Sequence, residues 1–183
     1  MTLIARHDTT VTQDTILPAW KLNVSRDDAL KWVRRKLPKA RNISSSLYYH
    51  PMLGCEFDWH GPRDKLLKIN ILVDMVSGRA FAAAPWTDKS FSAVETELQA
   101  DNAHIISTPE PRIDITMAHQ TARSVAQVLV TRKRRFGGVG TLDKHTRDVQ
   151  FLKPNWWITG VHRGLDLELI LDGVTGKHYV FSG

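Results

Sequence analysis

The pattern Asp-x-x-[Ser/Thr]-Gly-[Arg/Lys] occurs twice, from Asp74 in VDMVSGRAF and from Asp172 in LDGVTGKHYVF. An Asp that accepts backbone N–H groups, followed four residues on by a Gly free to take positive φ, dictates a tight turn. Each copy ends an alternating run. Leu67, Ile69, Ile71 and Val73 precede the first, and Leu165, Leu167, Leu169 and Leu171 precede the second. Period two places each set on one face of a strand. A short β-forming segment follows each copy, RAFAAA and then KHYVF. The motif therefore reads as the turn between two strands. A phosphate loop needs more glycines and a following helix, whereas here a strand follows.

The same order of elements precedes each turn. Ser25 is an N-cap with Asp28 three residues on, Asp27 and Asp28 suit the helix dipole, and Ala29, Val33 and Leu37 share a face, with Leu30 beside it. Pro38 ends that helix at or just before Leu37. In ITMAHQTARSVAQVLVTRK, residues Ala118, Ala122, Val125, Ala126 and Leu129 predict a second helix. After each helix comes a strand interrupted by one proline. ISSSLYYHPMLGCEFDWH contains Pro51 and leads into the loop HGPRD. VQFLKPNWWITGVH contains Pro154 and leads into a tight turn at Arg163-Gly164.

The expected fold is α+β: two repeated helix plus antiparallel-sheet units forming a pseudo-symmetric domain. Their sheets would join or pack through apolar faces, with helices on one side. The boundaries are an N-terminal arm at 1–24, a first unit at 25–84, an acidic, Pro-containing connection at 85–115 and a second unit at 116–183. Pro18 limits TILPAWKLNV, in the arm, to an edge strand or an extended lead-in. A connection of that length predicts some order, placed as a short strand at AHIIS.

The stretches SRDDALKWV, ILVDMVSGRAF and LILDGVTGKHYVF resemble PepSY-type domains, small α+β modules with a helix beginning near S-x-x-x-A and a strand ending in D-x-x-T-G. The resemblance implies an α+β fold and the inhibitory or regulatory roles common among such segments. Members of that family mostly work outside the cytoplasm. Here the start, MTLIARHDTTVTQDT, has no apolar core and is not read as a signal peptide. No functional residue is carried over.

Charge sets the next constraint. The formal net charge is +6 and the pI is about 9.6, a balance that favours anionic partners. A single cysteine, Cys55, allows no internal disulfide and fits a reducing compartment. No long apolar run predicts a membrane span, and the expected location is cytoplasmic.

Two basic segments stand out. KWVRRKLPKAR carries Lys31, Arg34 and Arg35 with no acid. TRKRRFGG carries Arg132, Lys133, Arg134 and Arg135 in a row, then Phe136 and two glycines. Helix dipoles account for part of this, but the second run exceeds what a cap needs. Such a loop suits phosphate contacts, with an aromatic to stack on a base. Adjacent Trp156 and Trp157 point to opposite faces of one strand, so one belongs to the core and the other to an interface or a covered surface.

Metal binding and catalysis find little support. His50, Cys55 and His60 are spaced by five, which alternates their faces on an extended strand. Neither zinc-site nor nucleophile-elbow signatures occur. Asp166 and Glu168 share a strand face, as residues of an exposed strand do. No enzyme activity, metal or cofactor is expected.

Two functional classes follow. The first is a non-catalytic binding or regulatory module engaging an acidic partner protein or assembly, self-association as a homodimer included. The alternative is a nucleic-acid-binding protein using the basic loop at 131–138. Basic stretches on one continuous face favour the alternative, and separate exposures with a hydrophobic patch elsewhere favour the first.

Overall fold

The computed structural model describes residues 17–61, 65–86, 90–92, 108–134 and 140–180. The strand expected at AHIIS lies outside them. In chain order the elements are β1 (Ala19–Trp20), α1 (Arg26–Lys36), β2 (Ala40–His60), β3 (Leu66–Asp74), β4 (Ala80–Ala83), β5 (Phe91–Ser92), α2 (Ile115–Arg134), β6 (Thr141–His162), β7 (Leu165–Asp172) and β8 (His178–Val180).

The expectation of two repeated helix-plus-sheet units is overturned. All eight strands join one mixed sheet in the order β4-β3-β2-β6-β1-β5, with β7 on β6 and β8 on β7. Its axis is the antiparallel ladder of β2 and β6. Ala40 stands opposite His162 at one end, and His60 opposite Thr141 at the other. Neither strand is broken at its proline. Only the short β1–β6 contact is parallel among the described strands.

The helices are exchanged between the two stretches. Ala29 and Val33 of α1 pack on Leu47 and Tyr49 of β2, on Trp156 and Ile158 of β6, and on Leu169 and Leu171 of β7. Ala118, Ala122, Ala126 and Val130 of α2 pack on Leu53 to Trp59 of β2 and on Ile69, Ile71 and Val73 of β3. Each helix thus covers the hairpin of the other stretch, so neither stretch encloses a core alone. By strand alternation both helices sit on one face of the sheet. On the other face Met52, Leu72 and Phe151 are covered by Trp86, Trp20 and Phe91.

The prolines account for this arrangement. In an antiparallel ladder a residue's N–H and C=O point to the same side, toward the same neighbour. The Pro51 carbonyl accepts from the Met75 N–H (3.1 Å), and the Pro154 carbonyl accepts from the Gly173 N–H (3.0 Å). Proline has no N–H to return. The Met75 carbonyl accepts instead from Arg112 and Ile113, just before α2. The Gly173 carbonyl accepts from Asn23 and Val24, just before α1. Each missing donor leaves free the acceptor that anchors a helix over that hairpin.

Local expectations hold at several points. The Ser25 side chain accepts from the Asp28 N–H (3.2 Å) and caps α1. Asp74 accepts from the Val76 and Ser77 N–H groups, Asp172 from those of Val174 and Thr175, and Gly78 and Gly176 have φ of 72° and 70°. Leu165, expected inward, is instead 74% exposed. It begins β7 just after the Arg163-Gly164 turn, beyond the reach of α1.

Candidate functional site

Two surface clefts lie along α1. Its inward face is Ala29 and Val33, which leaves Lys31, Arg34, Arg35 and Lys36 exposed. Trp32 lies between inward and outward faces, half-buried, with its ring 4.6 Å from that of His178 on β8. An open cleft flanks it on either side. One, of about 390 Å³, is walled by Trp32, Leu37, Leu167 and Leu169, with Lys36, His162 and His178 at its rim. The other, of about 370 Å³, is walled by Val24, Trp32 and Leu171, with Lys31, Arg35 and the acidic Asp28 at its rim. The acids of α1, Asp27 and Asp28, are confined to its first turn, Asp28 lying 3.8 Å from Lys31. Asp166 and Glu168 project from the opposite face of the sheet, because Leu167, Leu169 and Leu171 take the helix side. Apolar clefts under a cationic rim suit an anionic ligand with an apolar side chain.

The described parts of the two basic stretches lie at opposite ends of the sheet. α1 ends beside the 40/162 end of the β2–β6 ladder, and α2 ends beside the 60/141 end. Twenty-one residues of β2 separate them, roughly 65 Å along the strand. Lys31, Arg34 and Arg35 therefore form one surface and Arg132, exposed at the end of α2, begins another. Lys133 and Arg134 belong to the same helix. Arg135 and Phe136 lie outside the described residues.

The tryptophan pair divides as alternation requires. Trp156 is fully buried under α1, and its Nε1 donates to the Val24 carbonyl (2.8 Å). Trp157 is 38% exposed on the second face, opposite Ile170.

That second face holds a polar cluster that the sequence reading missed. His50 and Lys153 are cross-strand partners. His50 Nε2 lies 2.7 Å from Asp74 Oδ1, and Lys153 Nζ lies 2.7 Å from Asp172 Oδ2. Beside them Tyr48 stands opposite Asn155 and hydrogen-bonds it. Burial works to raise both aspartates. Hydrogen bonds from His50 and Ser77 outweigh it at Asp74, and the Lys153 charge and turn amides outweigh it at Asp172, so both stay below the usual carboxylate range. Burial, with the Asp74 and Asp172 charges adding to it, pushes Tyr48 up to about 12 despite the Asn155 bond. Every charged member has a partner within the cluster, which makes it a staple between the turns and the central ladder. The signal was present in sequence: His50 and Lys153 each immediately precede a strand proline.

His50, Cys55 and His60 are held apart. His50 joins this cluster, Cys55 is buried under α2, and His60 pairs with Asp143 (2.9 Å) at the ladder's end. Burial and the nearby Asp148 push the Cys55 thiol up to about 12, far from a reactive thiolate. Among the described residues no group of three or more His, Cys, Asp or Glu could hold a metal, and no helix is long and apolar enough to cross a membrane.

Comparison with known proteins adds no further residue to these clusters. No family model matches the chain, and neither a curated protein nor a solved structure matches it.

Proposed function

We propose that the protein is a non-catalytic binding module that engages an acidic partner protein through α1. One observation carries this reading: Trp32 stands between two clefts, one rimmed by Lys36 and the other by Lys31 and Arg35, where Asp28 is the one acidic lining residue. An acidic segment bearing an aromatic or aliphatic side chain fits that combination. The apolar group would enter a cleft beside Trp32 while carboxylates meet the rim. Tryptophan and arginine are the residues that most often dominate such contacts. The placement of Lys31, Arg34 and Arg35 at one end of the sheet and Arg132 at the other supports this reading over a continuous basic face for nucleic acid.

Labelled peptides of glutamates around a central Phe, the same peptides with Ser for Phe, single- and double-stranded DNA, RNA and heparin are titrated at low and high salt. Saturable, salt-sensitive binding of the Phe peptide over the others is expected, with loss of at least tenfold in Trp32→Ala and in Arg35→Glu. A preference for nucleic acid that survives both substitutions and disappears in Arg132→Glu would replace this reading with the basic loop at 131–138.

A further inference from the structure

The outward side of α2 points to a second copy of this chain. The helix buries one stripe, Ala118, Ala122, Ala126 and Val130. A different stripe repeats on the opposite side at steps of four and three: Met117, Thr121, Ser124, Val128 and Thr131. That alternation is the heptad spacing of a helix-pairing seam. Met117 and Val128 are 52% and 49% exposed, large values for apolar side chains on a helix already packed on its other face. Gln120 and Gln127 flank the seam, and no ionic residue enters it. The helix's two basic or titratable side chains before its last turn are tied down sideways: His119 to Asp148 and Arg123 to the Asp143 carbonyl. Charge depletion of this kind marks interface centres.

The two ends of α2 carry opposite charge. Before its first turn Glu110 and Asp114 outweigh Arg112 by one negative charge, and Arg132, Lys133 and Arg134 end it. We propose that two copies pair through this seam as antiparallel helices about a two-fold axis at Ser124. In that register Met117 meets Thr131 of the second copy, Thr121 meets Val128, and Ser124 meets itself. The basic end of each helix then lies beside Asp114 of the other, and the helix dipoles oppose. A face that is complementary to itself only when reversed is what a closed dimer requires. The inference is independent of α1, which lies on the other half of the sheet.

The test uses the full chain and two single-cysteine additions, with sedimentation as the first readout. Mass about twice 20.8 kDa across the micromolar range is expected, falling to the single-chain value in Ser124→Glu, whose melting temperature should match that of the native chain once both are diluted below self-association. Ser124→Cys should cross-link to itself under mild oxidation, since the native Cys55 is buried. Met117→Cys should not, because the two copies of that position lie about 21 Å apart along the paired helices. A monomer throughout, a dimer indifferent to Ser124→Glu, or cross-linking by Met117→Cys as readily as by Ser124→Cys would each overturn the proposal.

Discussion

His50 and Lys153 face each other across the middle of the β2–β6 ladder, and each reaches sideways to the aspartate of a different turn. The two contacts are built alike but weighted differently. Asp172 is more deeply buried, with its side chain 6% exposed, and depends on Lys153. Asp74 is more open and is held by Ser77 as well as His50.

Lys153→Met should therefore cost more than His50→Gln. Removing the cation leaves a buried carboxylate without its charge partner, an effect of about 3 kcal/mol. The His50 change should cost about 1 kcal/mol, the worth of one hydrogen bond. Adding Asp172→Asn to Lys153→Met should recover part of the loss, because the amide still accepts the turn N–H groups without an unpaired charge. Urea unfolding of the single and double variants measures all three.

Both aspartates hold their protons less tightly in the folded chain than in an unfolded one, where a carboxyl titrates near 3.9. Their contribution is thus complete above about pH 4 and is lost as pH falls from there through the folded values. Thermal melts should show a steep acid limb below about pH 4. Asp74→Asn should flatten that limb while lowering stability at neutral pH. An acid limb unchanged in Asp74→Asn would show that other carboxylates dominate it.

The anchoring of the helices predicts protected amides where a sequence would suggest loops. Val24 and Ile113 lie outside helix and strand, yet both donate to a carbonyl left free by a strand proline. Hydrogen exchange at these two should be far slower than in an unstructured peptide of the same sequence. Pro154→Ala should speed exchange at Val24 specifically, by offering the Gly173 carbonyl a competing donor.

Alanines set the distance of α2 from the sheet. Ala118, Ala122 and Ala126 are fully buried against β2 and β3. Ala122→Leu should cost about 1–3 kcal/mol by overpacking. Ser124→Glu, two residues away on the outer side, should stay within about 0.5 kcal/mol for the single chain. Chemical unfolding below the concentration of any self-association compares them.

Cys55 should be inert in the folded protein. It is buried under α2 with its thiol pushed up to about 12. A disulfide reagent should label it only at the rate of global unfolding, and labelling at full speed in native buffer would contradict the packing.

Turns and helices were legible in the sequence because their causes are local. Ser25, Asp74, Gly78, Asp172 and Gly176 act within four residues of themselves, and the apolar spacing of Ala118 to Leu129 is a property of one helix. The sheet was not legible. Pro51 and Pro154 read as interruptions, since a proline withholds a donor, and nothing local shows that the neighbouring hairpin has already turned away at that point. Period two places Trp156 and Trp157 on opposite faces but does not say which helix covers the buried one. The α1 clefts escaped notice for the same reason. Lys31 and Arg35 were visible as charge, whereas Leu167, Leu169 and His178 come from strands more than a hundred residues later.

The exchange of helices also imposes an order in time. When α1 leaves the ribosome, the surface that will hold Ala29 and Val33 does not yet exist, because Leu169 and Leu171 are among the last core residues to be made. Hairpin β3–β4 waits in the same way for α2. Such non-local pairing slows folding and leaves apolar stripes open meanwhile. A nascent chain stopped after β4 would carry α1 and a hairpin that have no use for each other, an incomplete surface of the kind chaperones recognise.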